Sequence, residues 1–194
     1  MTSSCSLVSV CFVLTFLVSL TRGEGFVPEN FTTSNLTQYT IRYLSEDGND
    51  TDSCLSGQAY PPDPWTNTIQ YCGSLIYTLT GGHHFRSQNI NNVIVLVLPG
   101  SYPMGEKGIE ILNSQNIILS KMPGTPGEVV FRCNDFLEES YNNLFINSTG
   151  NLTLNGIIFT ECGSYASPVR LRNTTNTTVS DCTFRYPIYM HACI

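Results

Sequence analysis

The sequence has no cluster of basic residues. Its 194 residues include nine Lys and Arg against fifteen Asp and Glu, which gives a formal net charge of -6 at pH 7. Nucleic acids and anionic membrane surfaces attract proteins through dense patches of positive charge. We therefore predict that neither nucleic acid nor an anionic membrane is the partner of this protein.

A hydrophobic run long enough to cross a bilayer is also missing. The longest apolar run, from Leu7 to Leu20, has fourteen residues, whereas a spanning helix needs roughly 20. Small residues follow it at Thr21-Arg22-Gly23, and we predict that residues 1–23 form a secretory signal peptide. The segment from Met1 to Cys5 carries none of the Lys or Arg usual in such peptides. A short membrane anchor is the alternative, but fourteen residues are too few to span a bilayer. Removal of this segment, with its single Arg, takes the net charge from -6 to -7.

Six cysteines follow the signal peptide, and an even number in a secreted chain predicts disulfides. They are Cys54, Cys72, Cys133, Cys162, Cys182 and Cys193. We expect Cys54 to pair with Cys72 across a Pro-rich loop. A second pair, Cys133 with Cys162, is a hypothesis, because these cysteines follow equivalent apolar strands.

Six Asn-x-Ser/Thr sequons support the same compartment, because N-glycosylation takes place in the secretory pathway. They begin at Asn30, Asn35, Asn147, Asn151, Asn173 and Asn176. The expected localisation is secreted or extracellular.

The length suits one domain, which we divide by pattern. Residues 24–38 are predicted to be a flexible leader, residues 39–92 an N-terminal strand, loop and capping helix, and residues 93–194 a set of β-coils. The first strand is expected from Tyr39 to Leu44. The helix is indicated by an apolar stripe with a 3.6-residue period, begun at Thr66 or Thr68 and ended at Gly81 and Gly82. The stripe consists of Ile69, Cys72, Leu75, Ile76 and Leu79.

A repeat organises the second half of the chain. It begins at Gly108, Asn143 and Pro168, and each copy has two short alternating strands separated by an Asn/Ser/Thr corner. The step from the second copy to the third is 25 residues, and the step from the first to the second is 35, because ten residues are inserted after Cys133. Units of this size cannot bury an apolar face alone and must stack.

Stacking assigns an inside and an outside to each strand. The positions predicted to face inward are Ile109, Ile111, Leu144, Ile146, Val169 and Leu171 in the first strands, and Ile117, Leu119, Leu152, Leu154, Thr177 and Val179 in the second. Glu110, Phe145 and Arg170 are predicted to face outward. The corner residues Asn116, Asn151 and Asn176 are predicted to form a hydrogen-bonded ladder, because Asn tolerates the left-handed backbone conformation.

Four short motifs resemble, in their order along the chain, the secreted β-helix repeat proteins of animals, which belong to the right-handed parallel β-helix or pectin-lyase-like proteins. They are Asp47-Gly48-Asn49-Asp50 with Cys54, Cys72-Gly73-Ser74-Leu75, Pro99-Gly100-Ser101-Tyr102 and Phe159-Thr160-Glu161-Cys162. The resemblance implies an all-β solenoid of about four coils with an N-terminal helical cap. A leucine-rich repeat is the structural rival, but its Leu-x-x-Leu-x-Leu spacing does not recur here.

Two motifs have the residue types of a metal site without the spacing. The Asp47 to Asp50 cluster could coordinate calcium, but the EF-hand spacing and its closing Glu are missing, so a plain turn is favoured. His83 and His84 are adjacent, but the sequence offers no third ligand at suitable spacing, and the remaining histidine is His191. We predict no metal and no cofactor.

Catalysis is not predicted. Enzymes of the pectin-lyase-like fold resemble one another in carrying stacked carboxylates on an outward face, whereas this repeat places Glu110, Phe145 and Arg170 there. Asp181 with Arg170 and Arg172 is the most enzyme-like set, and a solvated ion-pair surface is the favoured interpretation. The expected function is a structural or recognition module that binds extracellular glycans or matrix proteins. A polysaccharide lyase or glycoside hydrolase is the alternative, and a fragment of a larger cell-surface protein is a third possibility.

Overall fold

The computed structural model of the protein describes residues 36–60, 69–82, 85–105, 108–133, 143–147, 149–162 and 168–185. Several sequence predictions fall outside these residues. They concern the signal peptide, most of the leader, Asn30, Asn35, Thr66, Thr68, His83, His84, His191, Cys193 and the inserted segment after Cys133.

Short β-strands and two short helices make up the regular structure of the described residues. The helices are α1 (Asp52–Leu55) and α2 (Leu75–Thr80). The strands before the repeat are β1 (Thr40–Leu44), β2 (Tyr71–Cys72), β3 (Arg86–Gln88), β4 (Asn91–Val97) and β5 (Gly100–Pro103). Those of the repeat are β6 (Ile109–Leu112), β7 (Gln115–Lys121), β8 (Val129–Arg132), β9 (Leu144–Asn147), β10 (Gly150–Asn155), β11 (Ile157–Thr160), β12 (Val169–Arg172), β13 (Thr175–Ser180) and β14 (Thr183–Phe184).

All pairings between these strands are parallel, and they form three sheets. Sheet 1 has the order β13-β10-β7-β4-β1-β2, sheet 2 the order β12-β9-β6-β3, and sheet 3 the order β14-β11-β8-β5. From β3 onward the chain visits sheets 2, 1 and 3 in turn, so β3–β5, β6–β8, β9–β11 and β12–β14 are successive windings. The fold is therefore all-β and built from stacked parallel strands, as the repeat predicted.

Strand register confirms the repeat residue by residue. Leu144 lies opposite both Ile109 and Val169, and Leu152 lies opposite both Ile117 and Thr177. The 25-residue and 35-residue steps thus correspond to one winding each. The ten extra residues after Cys133 enter between β8 and β9 without shifting the pairing, because a corner can lengthen while the strands keep their alternation.

The inward-facing columns of the three sheets form one core. Leu144, Ile146, Leu152 and Leu154 are almost fully buried in it. In sheet 3 the column continues with Tyr102, Phe131 and Phe159, whose rings meet edge to face at centroid distances of 5.9 and 5.7 Å. Such contacts add to the stabilisation from burial alone.

The inward positions of the final winding are less buried than predicted. Leu171, Val179 and Phe184 retain 38%, 46% and 40% of their accessible surface. Among the described strands, β12, β13 and β14 each lie at one end of their sheet, so the described neighbours of these side chains belong to the preceding winding. The direction of the columns was predicted correctly, but burial needs a neighbour on both sides.

The helix α2 is shorter than predicted. Tyr71 and Cys72 belong to strand β2, which pairs with Tyr43 and Leu44 of β1, and so cannot start a helix. The helix begins after Ser74, whose Oγ accepts a hydrogen bond from the backbone nitrogen of Tyr77. It ends at Gly81, which adopts the left-handed conformation expected of a C-terminal glycine.

Two disulfides are present among the described cysteines. Cys54 is bonded to Cys72 and Cys133 to Cys162, with Cα–Cα distances of 5.3 and 4.7 Å, as both pairings were predicted. Cys182 is a free thiol among these residues. None of the helices described is long and apolar enough to span a membrane.

Candidate functional site

An asparagine ladder runs along the corner between sheets 2 and 1. The Nδ2 atom of Asn116 donates to Oδ1 of Asn92, that of Asn151 to Asn116, and that of Asn176 to Asn151, at 2.6, 2.7 and 3.0 Å. All four residues have a positive φ, between 50° and 56°. The predicted ladder is confirmed and begins one winding earlier than expected, at Asn92.

A second polar column lies in sheet 1 near the ends of its strands. Nδ2 of Asn155 donates to Oγ of Ser120, and Oγ of Ser180 donates to Oδ1 of Asn155, both at 3.0 Å. Ser120 and Asn155 are buried, so their polar atoms need these partners. The column is structural, since little of it reaches solvent.

The outward face of sheet 2 carries a different set of side chains. Arg86, Glu110, Phe145 and Arg170 lie directly opposite one another in four successive strands. Nε of Arg86 lies 2.6 Å from Oε2 of Glu110, and the guanidinium of Arg170 lies 5.8 Å from the centre of the Phe145 ring. A guanidinium at this distance is attracted by the face of the ring. We call Phe145, Arg170 and Arg172 the arginine face.

The cations of the arginine face form no ion pair with another described residue. Arg170 and Arg172 are both exposed, and no carboxylate of the described residues lies within ion-pair distance of either. Alternate residues of a strand point the same way, so Arg170 and Arg172 leave the same surface from Cα atoms about 7 Å apart. Two exposed positive charges, one of them in contact with an aromatic ring, can bind an anion that also has an apolar surface.

A shallow polar recess adjoins the arginine face, at the corner where β12 gives way to β13. Its volume is about 400 Å³, and its lining comes from three windings. Asn113 and Gln115 lie on one side, Thr149 and Gly150 in the middle, and Asn173 and Thr175 on the other. The named side chains supply amide and hydroxyl groups and no charge.

The structure separates Asp181 from Arg170 and Arg172, the three residues that form the most enzyme-like set in the sequence. Arg172 ends β12, whereas Asp181 follows β13, so the six residues of β13 lie between them and span about 20 Å. Asp181 therefore belongs to the opposite corner of the winding from Arg172. No group of three His, Cys, Asp or Glu side chains suited to a metal ion occurs in the described residues.

The acidic turn predicted as a plain turn, with calcium as the alternative, has a structural role. Oδ1 of Asp50 accepts hydrogen bonds from the backbone nitrogens of Gly73 and Ser74, at 2.8 and 3.0 Å. Its Oδ2 accepts one from the Ser74 hydroxyl, at 2.6 Å. Both oxygens of Asp50 are thus engaged with the start of α2.

Comparisons with protein families, with characterised proteins and with solved structures find no match for this chain. The site must therefore be interpreted from its own chemistry.

Sequence reasoning placed Phe145 and Arg170 on the same face but missed their contact. The 25-residue step sets these residues opposite each other, so the pairing could have been found from the repeat. The recess could not, because its lining depends on how three corners lie side by side.

Proposed function

We propose that the protein is a secreted or cell-surface glycoprotein module that recognises an acidic extracellular glycan through the arginine face. The scaffold is a right-handed parallel β-helix of about four coils, similar to pectin-lyase-like repeat proteins, with α2 as its N-terminal cap. Leu75 and Leu79 of α2 pack into the main core, which supports the cap. The disulfides support an oxidising compartment.

The observation that carries the proposal is the pair of exposed guanidiniums of Arg170 and Arg172, which have no carboxylate partner among the described residues, together with the contact of Arg170 with Phe145. Guanidinium groups bind carboxylate and sulfate oxygens through paired hydrogen bonds. An aromatic ring offers a flat apolar surface to the C–H side of a sugar. A glycan with carboxylate or sulfate groups presents both kinds of surface. Its sugar units repeat along the polymer, as equivalent strands repeat along sheet 2.

Sheet 2 is better suited to binding than to catalysis. Its outward column has one carboxylate, Glu110, and that carboxylate is engaged by Arg86. Hydrolysis of a glycosidic bond ordinarily needs two carboxylates at a controlled separation. We therefore propose a non-catalytic role.

The test is binding of the purified chain to immobilised heparin, as a sulfated glycan, and to polygalacturonate, as a uronate polymer. We expect retention that weakens with salt, because exposed charges are screened. The double variant Arg170→Ala/Arg172→Ala should bind about tenfold more weakly, as each exposed ion pair contributes up to ~1 kcal/mol. Phe145→Leu, which keeps an apolar side chain without the ring, should also weaken binding.

Arg132→Ala is the matched control, because Arg132 is exposed on sheet 3 and lies outside the arginine face. If Arg132→Ala weakens glycan binding as much as the double variant does, binding depends only on net charge and the proposal is contradicted. If the chain binds a matrix protein but neither glycan, the partner is a protein and the glycan proposal is wrong. Release of unsaturated uronate from polygalacturonate, or of new reducing ends, would overturn the non-catalytic role.

A further inference from the structure

Four sequons lie among the described residues, and their acceptor atoms are in different environments. N-glycosylation joins the Nδ2 atom of Asn to C1 of an N-acetylglucosamine. The C1–O bond to a lipid pyrophosphate donor breaks, and the amide loses a proton. Nδ2 of Asn151 and Asn176 are donors in the asparagine ladder, at 2.7 and 3.0 Å. A sugar at either position would share the Nδ2 atom with a hydrogen bond of the ladder.

Asn173 differs from these two residues. Its Nδ2 makes a longer hydrogen bond, 3.3 Å to Oδ1 of Asn147, although all three asparagines are exposed. That bond points toward the preceding winding, which is also the direction of the polar recess. Asn173 and Thr175, the first and third residues of the sequon, both line the recess.

We infer that Asn173 is a glycosylated sequon and that its first N-acetylglucosamine lies in the polar recess, packed across the last three windings. The inference rests on the proposed secretion of the chain. The volume of about 400 Å³ is within the range of roughly 300–1,000 Å³ that is usual for small-molecule sites. The exposed side chains of Asn113 and Gln115 offer amide groups, which suit the hydroxyls and acetamide of a neutral sugar.

This position gives the sugar a structural role. The recess takes residues from the windings that contain β6, β9 and β12, and the sugar would touch all three. Among the described strands, those of the last winding have neighbours on one side only. A sugar bound across the corner would therefore stabilise the least buried part of the described core. Because the recess lies beyond Arg172, the sugar would leave Phe145 and Arg170 accessible.

The first experiment maps occupancy. The full chain is secreted from animal cells, treated with peptide N-glycosidase in ¹⁸O water, and analysed by peptide mass spectrometry at each sequon. We expect Asn173 to be occupied and Asn151 and Asn176 to be largely unoccupied. Sugars at other sequons with Asn173 bare would overturn this inference alone. A chain that is not secreted and carries no sugar at all would overturn the proposed function as well.

The second experiment tests the recess. Thr175→Val removes the sequon without changing Asn173, whose φ of 50° would strain a larger residue. Thr175→Ser keeps the sequon and is the matched control. We expect Thr175→Val to lower Tm by about 2–4 °C and Thr175→Ser to leave it unchanged.

A third arm separates the first sugar from the rest of the glycan. Trimming the wild-type glycan to a single N-acetylglucosamine should preserve Tm, because that sugar occupies the recess. If trimming lowers Tm as much as Thr175→Val, the outer sugars are responsible and the recess assignment is wrong. Equal Tm values for both Thr175 variants would also contradict it.

Discussion

The carboxylate of Asp50 accepts hydrogen bonds from both the backbone nitrogen and the hydroxyl group of Ser74, at 3.0 and 2.6 Å. Asp50 belongs to the turn after β1, and Ser74 is the residue at which α2 begins. The disulfide between Cys54 and Cys72 joins the same two segments. The turn and the start of the helix are thus held together both covalently and by hydrogen bonds.

Loss of this contact should destabilise the protein. In Asp50→Ala the backbone nitrogens of Gly73 and Ser74 lose their acceptor, which costs about 1–3 kcal/mol when such groups are partly buried. The free energy of unfolding, measured in urea, should fall by that amount. Asp47→Ala is the control, since Asp47 is exposed in the same turn. Stabilisation of the wild type by calcium would show that the turn binds the ion instead.

A glycine in the same turn is expected to be sterically essential. A Cβ atom at Gly48 would collide with backbone atoms of Tyr71 and Cys72, which cannot move aside as a flexible side chain could. We expect Gly48→Ala to lower the free energy of unfolding by about 1–3 kcal/mol or more. Gly57→Ala is the matched control, because the nearest atom to its added Cβ is 3.8 Å away. Similar stability of the two variants would mean that the turn can shift.

The asparagine ladder predicts an unusual order of stability at Asn116. This side chain bonds to Asn92 and Asn151, and its φ is 55°. Asn116→Gly removes both side-chain hydrogen bonds and should lower the free energy of unfolding by about 1–2 kcal/mol. Asn116→Ala should lower the free energy of unfolding by roughly 1 kcal/mol more than Asn116→Gly, because an L-residue with a Cβ is disfavoured in the left-handed region. Chemical denaturation of the three proteins measures the order, and an Ala variant more stable than the Gly variant would contradict it.

Alkaline pH should destabilise the core through Tyr102. Burial raises the pKa of Tyr102 to about 12, and its hydroxyl donates to the carbonyl of Leu98 at 2.8 Å. Above pH ~10 the unfolded chain loses the phenolic proton while the folded protein keeps it. The contribution of Tyr102 to the free energy of unfolding is therefore complete below pH ~10 and falls as the pH rises toward 12.

Tyr43 should behave in the same way, since burial also raises its pKa to about 12. Unfolding measured at several pH values should show a shallower alkaline loss in Tyr102→Phe than in the wild type. This variant should be slightly less stable at neutral pH, because it lacks the hydrogen bond to Leu98. An unchanged alkaline slope would mean that Tyr102 ionises normally in the folded protein.

The sequence was most informative where the structure repeats. The 25-residue step set Phe159 opposite Phe184 and Asn151 opposite Asn176, because parallel stacking places equivalent residues side by side. It was least informative in the N-terminal region. There the apolar stripe through Cys72 has a helical period, but Cys72 lies in strand β2. It pairs with β1 and is bonded to Cys54, and both contacts join segments distant in sequence.

The candidate site was predictable only in part. That Phe145 and Arg170 face outward follows from alternation along β9 and β12. That the cations have no carboxylate partner among the described residues depends on all the strands and corners around them, and alternation within one strand carries no such information. The polar recess likewise depends on three windings together.

The asparagine ladder has a direction. Each Nδ2 group donates to the residue one winding earlier, so every finished winding presents an unused Oδ1 acceptor to the chain that comes after it. A ribosome delivers the windings in the same order. Asn92 therefore leaves the ribosome before Asn116, so each corner can offer its Oδ1 acceptor to the next corner as that corner emerges.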